Sequence, residues 1–208
     1  LDNASFTAGQ GFTPSNTDMM AVRGDILADS SVTGFGEGFL TRDTNNGFAR
    51  ALTSMEMSAL TNTMGGMVNA SLSVPTTLTA PTTVNTLTVT GDSSLVSGLA
   101  ADVFGKYGPS GDLLSLTLAN AAGLLIKSGT TNFDMGTLVG PASGAAYFHV
   151  LPGATFNVNA SLIPASTGGF VLSGGGAMEL RATTGFTTGN IVINSGTCLL
   201  YTSDAADE

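Results

Sequence analysis

The stretch Tyr147–Ala160 reads YFHVLPGATFNVNA. Two short runs of alternating apolar and polar residues flank Pro152-Gly153. Period-two alternation marks a strand with one face buried. It sends Phe148 and Val150 to one side, and Phe156 and Val158 to the same side after the turn. Tyr147, His149, Asn157 and Asn159 are expected to face outward. Two strands of this size carry too few apolar side chains to bury a face alone. The stretch therefore requires neighbours built on the same plan.

The chain supplies them. VNTLTVTGDSSLVSG (Val84–Gly98), GLLIKSGTTNFDMG (Gly123–Gly136), GFVLSGGGAMELRA (Gly169–Ala182) and NIVINSGT (Asn190–Thr197) each repeat strand, Gly turn, strand. The turn glycines are Gly91, Gly129, Gly153, Gly175 and Gly196, and the last four lie 24, 22 and 21 residues apart. Self-similarity at that period signals stacked repeats. Stacking closes a continuous core and pairs every backbone group except those at the two ends. Glycine admits φ > 0 where each phrase turns. The expected fold is all-β: a right-handed parallel β-helix or closely related β-solenoid over 67–197, preceded by a less regular segment, 1–66, able to add rungs. LAADVFGKYGPSGD (Leu99–Asp112) breaks the period and reads as a loop excursion, with LLSLTLAN (Leu113–Asn120) as an extra strand.

The first segment holds weaker signals. GFGEGFLTRDTNNGF (Gly34–Phe48) reads as a hairpin turning at Asn45-Asn46-Gly47. Thr53-Ser54-Met55-Glu56 has the capping-box form before Met57–Leu60, which predicts a helix of one or two turns ended by Gly65-Gly66. Met55, Met57, Met64 and Met67 would pack that helix on the end of the stack. VPTTLTAPTTV (Val74–Val84), with two prolines, reads as an extended edge segment.

Composition narrows the function. Charged residues are only 10% of 208, the formal charge is −9, and the six cations are scattered. No phosphate-tracking basic stripe exists, so nucleic-acid binding is not expected. An anionic membrane would repel the chain, and no run approaches the ~20 apolar residues of a spanning helix. The beginning at Leu1, without Met or a basic n-region, reads as a start inside a longer frame.

No residue reads as catalytic, metal-binding or cofactor-binding. His149 is the sole histidine; it reads as an outward strand residue, with a general base or metal ligand as the sharper alternative. No G-x-S-x-G elbow occurs. A glycosidase or lyase pair could draw on Asp18, Asp25, Asp29, Glu37, Asp43, Glu56, Asp92, Asp102, Asp112, Asp134 and Glu179. Within the repeats only Asp92, Asp134 and Glu179 sit at matched positions, and they read as turn caps and solvated side chains. Asp43-Thr-Asn-Asn-Gly47 lacks the distal Glu of a Ca²⁺ loop. Gly34-Phe-Gly-Glu-Gly38 is not a dinucleotide fingerprint, because no helix follows. Asn3, Asn69 and Asn159 head N-x-S triplets, read as chance in an Asn- and Ser-rich chain.

Several of these phrases resemble a family. GFLTRDTNNGFARALTSMEM, NASL (Asn69–Leu72), TTVNTLTV (Thr82–Val89), GLLIKSG and GGFVLSGGGAMELRATTGFTTGNIVINSGT (Gly168–Thr197) look like the passenger regions of bacterial autotransporter-associated β-strand repeat proteins. Phe186, Thr188-Gly189, Val192, Asn194, Gly196 and Thr197 fall on the family phrase. Ser173 stands where Lys is frequent, Ala177-Met178 replaces Thr-Leu, and Gly185 replaces Asn. The resemblance covers roughly 34–197. It implies a structural passenger or stalk of a large secreted or outer-membrane-anchored surface protein, without catalysis, exported by a C-terminal translocator beyond this segment. The partners it implies are the remainder of its own solenoid at both ends, and surface glycans or neighbouring cell surfaces; the location is extracellular. The rival readings are a glycan-binding adhesin and a β-helix enzyme degrading polysaccharide. A phage tailspike would need apolar exterior residues to trimerise.

That family phrase continues Leu-x-Leu after Gly196-Thr197, whereas this chain ends CLLYTSDAADE (Cys198–Glu208). All eleven residues resemble the conceptual translation of a transposase sequencing adapter. Residues 198–208 are therefore expected to be a non-native tail. Without Asp204, Asp207 and Glu208 the charge of −9 becomes −6, and no cysteine remains. Stability then rests on stacking alone, without disulfides.

Overall fold

The structure is a computed structural model that describes residues 17–30, 32, 34–43, 48–97, 114–163, 168–181 and 190–200. Three strands open the chain: β1 (Val22–Ala28), β2 (Gly38–Arg42) and β3 (Ala49–Ala51). They form an antiparallel sheet in that order. The strands that follow are β4 (Ser58–Ala59), β5 (Asn69–Leu72), β6 (Thr76–Leu78), β7 (Thr82–Val89), β8 (Ser93–Ser97) and β9 (Ser115–Ile126). Next come β10 (Thr130–Asp134), β11 (Thr137–Val139), β12 (Ala146–Val150), β13 (Thr155–Val158) and β14 (Ser161–Ile163). The last are β15 (Phe170–Ser173), β16 (Ala177–Leu180), β17 (Ile191–Ile193) and β18 (Thr197–Leu200). The protein is all-β, with no α-helix among the described residues.

From β4 onward every strand pairing is parallel. One sheet runs β17-β15-β12-β9-β7-β5-β4 and a second runs β18-β16-β13-β10-β8-β6. The first strand of each phrase enters the first sheet and the second strand enters the second. A shorter row joins β14 to β11 and β11 to the start of β9. Gly123, Tyr147 and Val171 stand opposite one another, as do Ser94, Asn132, Asn157 and Glu179. Gly91, Gly129, Gly153, Gly175 and Gly196 take φ of 77°, 74°, 82°, 82° and 91° at the corners. A side chain there meets the left-handed penalty. Gly153→Ala, at a corner with open space around it, is expected to cost about 1–2 kcal/mol, measured as a lowered urea midpoint.

This register stacks like on like. Leu95, Phe133, Val158 and Leu180 form one inward row, and Leu87, Leu124, Phe148 and Leu172 form another; all are buried in a single cluster. Phe156 meets Phe133 edge-on at 4.9 Å and Phe148 at 6.0 Å. Such pairs add about 0.5–1.5 kcal/mol beyond the area they bury. Phe148, Val150, Phe156 and Val158 thus occupy the side their alternation requires.

The outward row Leu125–His149 is also buried, against expectation. The antiparallel sheet lies over it, and Phe39 packs on Leu125 and Leu151 with Val22 and Leu27 alongside. Glycine makes this approach possible. A Cβ on Gly24 would stand 1.9 Å from the Ala121 carbonyl oxygen, and one on Gly123 would strike the Phe39 ring at 2.5 Å.

Other expectations need correction. Glu56 does reach back to Thr53, whose N–H donates to Oε2 at 3.0 Å and whose hydroxyl donates at 2.9 Å. Only a three-residue 3₁₀ turn, Ser54–Glu56, results, and Ser58–Ala59 is strand. The Arg50 guanidinium takes both Glu56 oxygens at 2.7 and 2.8 Å, which anchors the turn against β3 instead of starting a helix. Hence the methionines pack no helix: Met55 and Met67 are exposed, while Met64 leans on the main core. Of the expected extra strand LLSLTLAN, Ser115–Asn120 joins the start of the next phrase in one strand, β9. Of Val74–Val84, Thr76–Leu78 is an edge strand, and Thr82–Val84 pairs on one side with the start of β9, while β5 pairs only from Thr86 onward, so both pieces lie at sheet edges as expected. The hairpin pairs Leu40 with Ala51 and Arg42 with Ala49; its turn residues 44–47 lie outside the described residues, as do 99–112.

Candidate functional site

One concavity lies where β1 crosses the larger parallel sheet. Strand β9 bulges there. Against the single residue Asn85 between paired Val84 and Thr86, β9 places Ala119–Ala122. Ala122 has φ of 51°, the one positive value outside glycine among the described residues. Bulges of this kind re-aim side chains and recur beside binding sites.

Buried amides tie the bulge down. The Asn69 side-chain amide donates to the Met20 carbonyl at 2.8 Å, and Asn85 donates to Asn69 Oδ1 at 3.0 Å. Asn85 Oδ1 accepts from the Ala121 N–H at 3.0 Å. Asn69 is fully buried, so its N-x-S triplet is a structural amide and not a surface acceptor.

Above this floor opens a cleft of about 330 Å³. Its walls are β1, the bulge and the turn at Ser143–Ala145. Arg23 and Asp25 project from β1 and pair through both Nε–Oδ1, 2.8 Å, and Nη2–Oδ2, 2.5 Å. The hydrogen bond from Arg23 holds the Asp25 carboxyl below its ordinary range, and the same bond raises Arg23. Tyr147, half-buried, also lines the cleft. Met19 and Met67 line the cleft, 47% and 44% exposed.

His149, two residues from Tyr147, bridges the sheets. Nε2 lies 2.8 Å from the Gly24 carbonyl, and Nδ1 lies 2.7 Å from Ser173 Oγ. A neutral ring donating to Gly24 and accepting from Ser173 satisfies both contacts. Burial pushes its pKa down, partly offset by the Gly24 bond and the Asp25 charge. The folded chain therefore binds this proton less readily than the unfolded one. Stability is intact above about pH 6.5 and falls as the pH drops through that value, levelling off below the depressed folded pKa. His149→Gln, which does not titrate, is expected to flatten the acid-side loss of amide-exchange protection in residues 17–30 between about pH 7.5 and 5.

The other carboxylates serve the backbone or nearby polar groups. Asp92 accepts from the Thr130 N–H at 2.8 Å, Asp18 from the Ser58 hydroxyl at 2.5 Å, and Asp134 from the Asn159 amide. Glu179 pairs with Arg181. Asp29 accepts from the Gly36 N–H, and Glu37 from the Ser30 N–H and hydroxyl. Those two brace the β1–β2 connection, beside a second cleft that Arg50 and Lys127 also line. Asp43 is buried, and its N–H donates to the Phe48 carbonyl. Asp102, Asp112, Asn3, Phe186, Thr188 and Gly189 lie outside the described residues. Tyr147 and Asn157, both expected to face outward, belong to different sheets. Asn157 is buried and donates to Asn132 Oδ1 at 2.8 Å. The Cys198 thiol leans on the main core, and burial pushes its pKa up. Among the described residues no three His, Cys, Asp or Glu converge as metal ligands.

Composition and period gave no sign of the cleft, because its parts are spread over more than 120 positions. The available signal was Asn120-Ala-Ala-Gly123, a small-residue break inside an otherwise apolar strand pattern. No protein-family model, no curated protein and no solved structure matches this chain.

Proposed function

We propose that residues 67–197 are a stretch of right-handed β-solenoid, and that it serves as a rigid passenger or stalk of a large, surface-exposed, autotransporter-like protein, without catalysis. The in-register parallel pairing of corresponding strands from successive phrases, with positive-φ glycines at the five corners named above, carries this reading. Parallel crossovers are right-handed in nearly all proteins. A low charge with Thr-, Ser- and Asn-rich polar faces suits an extracellular setting. Residues 198–208 are read as a translated adapter, although the strand containing Cys198 pairs with β16. Ile191, Val192 and Ile193 are exposed on β17, at the end of the larger sheet. Further rungs of the same solenoid stacked on that edge would cover them.

Two measurements test the proposal. Small-angle scattering from the purified chain is expected to give an elongated particle of constant cross-section; a sphere-like profile overturns the solenoid. Antibodies raised against the chain are expected to label intact source cells, and labelling only after permeabilisation overturns the surface assignment.

A further inference from the structure

We infer that the cleft between β1 and the β9 bulge is a binding site for one neutral sugar unit of a glycan. The cleft is built by this chain alone, so the inference does not depend on the stalk reading.

Four observations choose the ligand class. First, the charge of the cleft is internally balanced. Arg23 is neutralised by Asp25 through two hydrogen bonds, and the chain carries −9 overall. A phosphate or sulfate would meet no uncompensated cation. Second, that pair places donors beside an acceptor at partial exposure, 30% and 27%. Adjacent sugar hydroxyls, each both donor and acceptor, match such a pair. Third, the walls are amphipathic. The thioethers of Met19 and Met67 and the ring of Tyr147 offer apolar surface to the C–H face of a pyranose, while Asn120 adds a polar group at the rim. Its amide nitrogen is engaged with the Gly66 carbonyl at 3.0 Å, which leaves Oδ1 as an acceptor. Fourth, the floor is held in place by the Asn69–Asn85–Ala121 chain. Little ordering entropy remains to be lost on binding. The volume of about 330 Å³ lies at the small end of ligand pockets, about 300–1,000 Å³, which fits one ring and not a long chain segment.

The site sits where the repeat is broken. The bulge, with its left-handed Ala122, disrupts the most regular part of the sheet, and it raises Asn120 and Ala121 into the cleft. A purely structural array would not need that disruption.

The methionine methyls provide the test. In the full chain labelled with ¹³C-methyl methionine, Met19 and Met67 report on the cleft, and the buried Met135 and Met178 report on the fold. The probes are the methyl glycosides of glucose, galactose, mannose and N-acetylglucosamine. At least one is expected to shift the Met19 and Met67 signals saturably, with a Kd on the order of 1 mM, leaving Met135 and Met178 unmoved. Tyr147→Ala and Asp25→Asn are each expected to weaken that probe about tenfold, with the core signals unchanged. The inference is overturned if no glycoside shifts Met19 or Met67 at about 0.1 M. It is equally overturned if the shifts survive both substitutions, or if inorganic phosphate moves these signals and the glycosides do not.

Discussion

Phe156→Ala lowers the unfolding free energy by about 3–5 kcal/mol, read as a shift of the urea midpoint followed by circular dichroism. Phe156 is fully buried and touches aromatic rings from two sides. Phe133 lies on the neighbouring strand of its own sheet, and Phe148 lies across the core. The truncation therefore removes apolar transfer energy and leaves a void that strand backbones on both sides keep open. Each phrase contacts mainly its neighbours, so the loss falls on the coupling between them. The transition is expected to broaden as well as shift, since cooperativity in stacked arrays resides in those interfaces. Phe48→Ala, at a residue 71% exposed, is the control, with an expected change within about 0.5 kcal/mol. Equal effects at the two positions would contradict the stacked core.

Removing the Arg50 guanidinium is the second large effect. Glu56 is 0% exposed at its side chain, and Arg50 is 18% exposed. Arg50→Ala leaves a buried carboxylate that keeps the Thr53 N–H and hydroxyl but loses the two hydrogen bonds from its cation. The expected cost is about 3–5 kcal/mol, the range for breaking one half of a buried pair. Desolvation explains the size: a charge removed from water needs its partner more than the intact pair adds net stability. The double variant Arg50→Met with Glu56→Leu is accordingly expected to recover most of the loss. Hydrogen exchange should place the damage in β2, β3 and the Ser54–Glu56 turn, while β12, β13, β15 and β16 keep their protection. A uniform loss along the chain would show that the antiparallel sheet and the parallel stack unfold as one unit.

The parallel stack was legible because its chemistry is local. Positive φ admits few residues other than glycine, so Gly129, Gly153, Gly175 and Gly196 announced the corners. Alternation placed Phe148 and Val150, then Phe156 and Val158, on one side. The antiparallel sheet was not legible as a cover. Leu125 and His149 alternate like any outward row, and nothing local marks them for burial. Their cover depends on Gly24 meeting Gly123 and on Phe39 filling the space a Cβ would occupy, contacts that span most of the chain. The helix expected after Thr53 failed for a related reason. The capping contact is real, but Glu56 is committed to Arg50, and the chain turns at once into β4. The cleft was missed because Arg23, Asp25, Asn120 and Tyr147 read singly as ordinary polar surface residues.

One property of the register reaches beyond this molecule. Gly123, Tyr147 and Val171 are exact equivalents in the sheet, each 24 residues from the next. Excising or duplicating one such segment in frame would return the backbone to the same partner groups and the same apolar row. It would alter length by a single strand spacing, about 4.8 Å. Unequal recombination at the segment from Tyr147 to Phe170 would then change the stack in fixed increments; the segment from Gly123 is barred from such exchange, because a side chain in the place of Gly123 would strike Phe39.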